Sequence, residues 1–107
     1  MRDFDNVVIF ITVGTAEEAR KISGALLEQG KAACINIVPD VNSHFWWEGK
    51  LESAQESLLI VKTKAMKIDE VVKLVKGIHS YEVAEIIALP VIGGNQDYLD
   101  WIGSEVK

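Results

Sequence analysis

The residues best suited to chemistry fall in one short run, His79-Ser80-Tyr81-Glu82-Val83-Ala84-Glu85. A neutral imidazole is the commonest metal ligand among side chains, and carboxylates three apart supply oxygen donors or an acid–base pair. His79, Glu82 and Glu85 are therefore the candidate donors to a divalent cation. Each also has a plain structural reading. His79 can be a helix-terminal histidine favoured by the macrodipole and bonded to backbone carbonyls, and the glutamates can be solvated carboxylates at a strand edge. No HExxH, CxxC or paired-histidine spacing accompanies them, so the sequence carries no preformed high-affinity metal motif.

Lys62 follows the apolar run Leu58-Leu59-Ile60-Val61, where a charge is costly unless paired or beside a cleft. It is a candidate anion binder or ion-pair partner of Glu82 or Glu85, and otherwise a strand-end lysine. Trp46 and Trp47 are adjacent, so on a strand they point to opposite faces and at least one enters a core or an interface. Either their hairpin reaches a neighbouring subunit, or a ring stacks on a ligand. Cys34, the lone cysteine, sits among Ala32, Ala33 and Ile35 and reads as a small buried hydrophobe rather than a reactive thiolate. Ser43, Ser57, Ser80 and Ser104 lack a nucleophile elbow or an orienting histidine–acid pair, which leaves hydrolase chemistry without support. Gly93-Gly94-Asn95 could receive an anion at a helix N-terminus, but a tight turn is the simpler reading.

These side chains need a scaffold, and the apolar pattern supplies one. Residues 7–13 form a β-branched run that is apolar at both parities, as a strand buried on two faces requires. Thr15-Ala16-Glu17-Glu18 reads as a capping box, opening a helix with Ala19, Ile22 and Leu26 on its inner stripe and Gly30 as its stop. A second strand covers residues 32–38 and ends at Pro39-Asp40, because proline cannot continue a ladder. Residues 45–63 form a long hairpin turning at Glu48-Gly49-Lys50, with Ser53-Ala54-Gln55-Glu56 its least strand-like part. Residues 67–79 have helical periodicity, residues 84–91 form a last strand, and Asn95 caps a short terminal helix. The order βαββαβ puts both helices on one face of a four-stranded antiparallel sheet, an α+β ferredoxin-like domain with a long β-hairpin and a short C-terminal helix. The other sheet face is also apolar and needs a cover. Burying roughly 500 Å² of it would contribute about 12 kcal/mol before association costs, so self-association is expected.

Composition narrows the classes further. A chain of 107 residues has room for one domain, residues 1–107. Eleven Lys and Arg against sixteen Asp and Glu give a net charge of −5, which offers no pull on nucleic acid or anionic lipid. No apolar run reaches the roughly 18 residues of a membrane span, and the start, Met1-Arg2-Asp3-Phe4-Asp5, is too acidic for a secretion leader. One cysteine forms no internal disulfide, so a cytoplasmic location is expected.

Several separated blocks resemble the CutA family of divalent-cation tolerance proteins. They are Ala33-Cys34-Ile35-Asn36-Ile37-Val38-Pro39, then Ser43, Phe45 and Trp47-Glu48-Gly49-Lys50-Leu51, Lys62-Thr63, His79-Ser80-Tyr81-Glu82-Val83, Glu85-Ile86-Ile87-Ala88-Leu89-Pro90, and Asn95 with Tyr98-Leu99 and Trp101-Ile102. They run in family order over nearly the whole chain. The resemblance implies a ferredoxin-like protomer, a homotrimer, a non-enzymatic link to copper and other divalent-metal tolerance, and kinship with PII signalling proteins. Trp47, Lys62 and Tyr81 become candidate ligand contacts in an intersubunit cleft, with His79, Glu82 and Glu85 the metal set and copper(II) or another divalent cation the ligand. The chain departs from the family in four places. Ser80 and Ala84 replace two prolines, which should loosen their turn, and Ile11 and Ile78 replace a cysteine and a histidine credited as copper ligands in some members. A PII-like module binding a metabolite or protein, with no metal role, is the alternative. An enzyme acting from His79, Glu82, Glu85 and Lys62 has no motif to set its reaction.

Overall fold

The computed structural model describes residues 4–107; the reading of Met1-Arg2-Asp3 as no leader lies outside them. Strand β1 (Asn6–Val13) leads to helix α1 (Ala16–Glu28), then to β2 (Cys34–Trp47) and β3 (Lys50–Lys64). A 3₁₀ turn (Ala65–Lys67) introduces α2 (Ile68–Ile78), followed by β4 (Ile86–Pro90) and α3 (Gln96–Glu105). The strands order β2-β3-β1-β4, with each neighbouring pair antiparallel, and the fold is the expected α+β ferredoxin-like one.

The two parities of β1 divide the sheet. Val7, Ile9, Ile11 and Val13 are buried with Leu59 and Val61 of β3 against Ala19, Ile22 and Leu26 of α1 and Val71 and Val75 of α2. Burying each such side chain contributes about 1.5–3 kcal/mol, so this inner layer holds the chain together. Thr63 lies at the same core, and its hydroxyl donates to the Lys31 carbonyl at 2.7 Å. The outer face carries Val8, Phe10, Leu58 and Ile60, which are half-buried, with Val38, Ile87 and Leu89 exposed beside them. Helix α3 reaches one end of this face and leaves the rest open: the Lys62 ammonium stands 5.7 Å from the centre of the Tyr98 ring.

The second strand corrects the sequence reading. Pro39-Asp40 does not end it. Val38 pairs with Leu58 and Val41 with Glu56, so one extra residue is inserted as a bulge, where Asp40 takes a φ of 60°. A bulge already interrupts the ladder, so the missing proline N–H costs little there, and aspartate tolerates the left-handed region. One hairpin therefore runs from Cys34 to Lys64, with Ser53 to Glu56 firmly in its ladder. Its turn is the one expected: Glu48 and Gly49 both have positive φ (49° and 80°), as a two-residue turn matched to strand twist requires. β1 reaches only as far as Ser57, so beyond it the hairpin projects as a two-stranded arm. The molecule is correspondingly elongated, 43 × 27 × 23 Å. The last strand is shorter than residues 84–91, and no described helix is long and apolar enough to cross a membrane.

Candidate functional site

The bulge decides which hairpin residues meet the groove. On an uninterrupted β2, His44 and Trp46 would share a face with Asn36 and Val38. The inserted residue moves that face to Val41, Ser43, Phe45 and Trp47, opposite Glu56, Ala54, Glu52 and Lys50. Phe45 and Trp47 are thus set on the side of Glu56, and the last residue of the outer row of β1, Thr12, completes the floor. The segment 79–85 between α2 and β4 forms the opposite wall. Together they enclose an open groove of about 970 Å³ lined by Thr12, Ser43, His44, Phe45, Trp46, Trp47, Glu56 and residues 80–85.

His79 holds that wall from beneath. It caps α2, with its amide donating to the Val75 carbonyl at 2.8 Å. Its side chain is 1% exposed. The ring Nε2–H donates to the Thr12 carbonyl at 2.8 Å, and Nδ1 accepts the Tyr81 amide at 3.0 Å. A carbonyl can only accept and an amide can only donate, which fixes the neutral tautomer with its proton on Nε2. Both ring nitrogens are therefore occupied by backbone.

Glu18 clamps the next residue. The Thr15 hydroxyl accepts the Glu18 amide at 3.0 Å, as the capping box requires. The reciprocal half is missing. The Glu18 carboxylate instead accepts the Ser80 amide at 2.7 Å and the Ser80 hydroxyl at 2.9 Å, and lies 3.7 Å from His79 Nδ1. Burial pushes this carboxyl upward, but the amide and hydroxyl of Ser80 and the Gly14 amide outweigh it and hold it below the ordinary carboxylate range. Ser80 stands where the family has proline, and both of its donors bond to Glu18. It supplies an N–H and an O–H that proline lacks.

Tyr81 crosses from the wall to the floor. Its hydroxyl bonds to Glu56, and burial, that bond, and the charges of Glu56 and Glu18 push the phenol up to about 12. Its ring lies against Gly14, where an added Cβ would come within 3.0 Å of the hydroxyl oxygen. Thr12 donates to Glu85 at 3.4 Å. Glu56, 7% exposed, is the most enclosed carboxylate of the groove, whereas Glu82 and Glu85 are exposed on the wall.

The structure thus gathers Trp47, Tyr81, Glu82 and Glu85 and separates the other two candidates. Lys62 pairs with Val8 and Cys34 and sits under Tyr98, six residues along β3 from Glu56 and so roughly 20 Å away. It is no partner of Glu82 or Glu85. His79 lies behind the groove wall. Among the described residues no three His, Cys, Asp or Glu side chains are arranged to hold a metal ion. The set His79, Glu82 and Glu85 does not fit a resident copper ion within one chain, because the imidazole has no free nitrogen. Cys34 is half-buried on the outer face rather than in the core, with Sγ 4.0 Å from Asn36 Oδ1. Neither Trp46 nor Trp47 enters the core of the chain. The sequence reading took Glu18 only as a capping-box residue and Glu56 only as part of a weak strand; the one visible signal for Glu56 was a charge placed just before a strand's apolar run.

The family model described as CutA1 divalent ion tolerance protein matches residues 7–105. The chain belongs to this family. Among CutA relatives, the divalent-cation tolerance protein of Archaeoglobus fulgidus is 48% identical over 99 residues, which cover 92% of this chain and 96% of that protein. The chloroplastic CutA 1 of Oryza sativa is 40% identical over 102 residues, 95% of this chain but 58% of its own length, so the chain spans little more than half of that relative. The crystal structure of the Thermus thermophilus CutA1 superposes with a TM-score of 0.93 at 43% identity, covering 95% of this chain and 99% of that one. The ferredoxin-like expectation and the CutA resemblance both hold.

Proposed function

We propose that this chain acts without catalysis as a homotrimeric divalent-cation tolerance protein, its groove completed by a neighbouring subunit and binding cations weakly. The observation that carries the reading is the groove's charge. Glu56, Glu82 and Glu85 line it, and among the described residues no lysine or arginine does. A concave wall of one charge concentrates counter-ions, and oxygen donors suit divalent cations. The trimer is supported by the open apolar face of Val38, Ile87 and Leu89, an expanse that one chain leaves to water. The single free thiol of Cys34 fits a cytoplasmic location, which fractionation of native cells tests.

Calorimetric titration of copper(II) tests the cation role. Wild type binds weakly, the Glu82→Gln/Glu85→Gln variant loses the heat, and His79→Ala retains binding but melts at lower temperature. Binding also weakens at acid pH, since the donors must be deprotonated. Heat that survives the double variant overturns the reading. A second reading, a PII-like module for a small metabolite, is favoured by the aromatic walls of Phe45, Trp47 and Tyr81 and by a groove volume within the range of organic-ligand pockets.

A further inference from the structure

We infer that Lys62 of one copy enters the groove of the next and pairs with Glu85 there, so that the groove is a mixed-charge site shared by two chains and the assembly closes head to tail. This rests on the homotrimer proposed above and names how its copies meet. The outer face of the sheet is apolar in the middle and charged at its two ends. At one end Lys62 lies opposite Val8, with Lys64 two residues further along the same row, opposite Asn6. At the other, Glu85 continues the row of Ile87 and Leu89 and accepts the Thr12 hydroxyl at 3.4 Å. Val8 and Thr12 are four residues apart on β1, and β3 and β4 flank it. The two ends are therefore roughly 13 Å apart along the strands and about 10 Å across them, beyond the reach of one chain's own side chains. Neither Lys62 nor Glu85 makes an ion pair among the described residues.

Each end lacks what the other carries. Lys62 is half-buried, and its ammonium has the Tyr98 ring, 5.7 Å away, in place of a carboxylate. A ring face is a weaker counterpart than a carboxylate once water is excluded. Glu85 is the carboxylate that stands on the sheet face itself, whereas Glu56 is already bonded to Tyr81. A second copy laid on Ile87 and Leu89, which are 51% and 41% exposed, takes water from the face between these ends, and a charge left unpaired beneath it is costly. Symmetry then sets the polarity. A three-fold ring joins two different patches of every chain, so the basic end of one copy can meet the acidic end of the next at all three junctions. The reverse arrangement gathers like charges and costs affinity.

Charge reversal followed by sedimentation of the full-length protein tests the pairing. Lys62→Glu and Glu85→Lys each raise the concentration at which the trimer dissociates about tenfold or more, and the two changes in one chain restore it. Lys62→Met, which keeps the apolar stem, weakens the trimer as well. Recovery in the double variant guards against a folding defect in either single one, and a merely structural lysine is not rescued by a change at Glu85. Mixing the two single variants does not restore a stable trimer, because a ring of three must place two chains of one kind side by side. Reversals that leave the wild-type trimer's stability unchanged overturn the inference and leave the trimer standing, as does a double variant no more stable than its singles predict. Full recovery on mixing shows a two-fold pair and overturns the ring. A wild-type monomer removes the trimer and this inference together.

Discussion

Glu18 lies 62 positions from Ser80, yet its carboxylate holds that residue by two hydrogen bonds. Its folded titration lies below the unfolded one, so the clamp contributes stability above the ordinary carboxylate range and loses it as pH falls through the lowered value. Amide exchange at Ser80 should therefore accelerate in acid before the core amides of Ile9 and Val61 respond, and Glu18→Gln should abolish that early step. Tyr81 works in the opposite direction. Its phenol is raised to about 12, so its contribution is complete below the ordinary phenol value and is lost as pH climbs through about 12. Ultraviolet titration should resolve one late tyrosine, and Tyr81→Phe should remove it while costing about 1 kcal/mol for the lost bond to Glu56. Little of this was legible in the sequence. Spacing placed His79, Glu82 and Glu85 together, but spacing is silent on which side chain turns inward. The backbone of Thr12 and Tyr81, one 67 residues away, decided that His79 points away from the groove.

At the level of elements, local signals were read correctly wherever the chain satisfied itself locally. Thr15 caps α1, Asn95 caps α3 through the Asp97 amide, and Glu48-Gly49 turns the hairpin. The failure came at Pro39-Asp40, where punctuation that ends most strands is absorbed by a bulge, because β3 continues beside it and recaptures Val41. Asp40 carries the cost of that geometry. Asp40→Gly should be neutral or stabilising, whereas Asp40→Val should destabilise by about 1–2 kcal/mol, read from chemical denaturation. The turn at Ser80 gives a second test. Restoring the family residue with Ser80→Pro removes both donors to Glu18, and the melting temperature should fall rather than rise.

For the whole molecule, the two-sided apolar pattern of β1 implied a cover that one chain does not supply. Ile87 is 51% exposed in the middle of β4. Sedimentation should give a trimer for wild type, and Ile87→Lys should shift it toward the monomer; a wild-type monomer at micromolar concentration would sink the assembly. The projecting arm of the hairpin adds a consequence of its own. Two strands alone are marginally stable in water, and among the described residues this arm has no third strand paired to it. In the proposed trimer neighbouring copies would supply that order, and Phe45 and Trp47, which line the groove, ride on it. Protein concentration would then be an effector of ligand affinity: dilution below the assembly constant should fray the arm and empty the groove, even when ligand is abundant. Ligand in turn should hold the copies together, so each binding event lowers the concentration at which the next assembly forms.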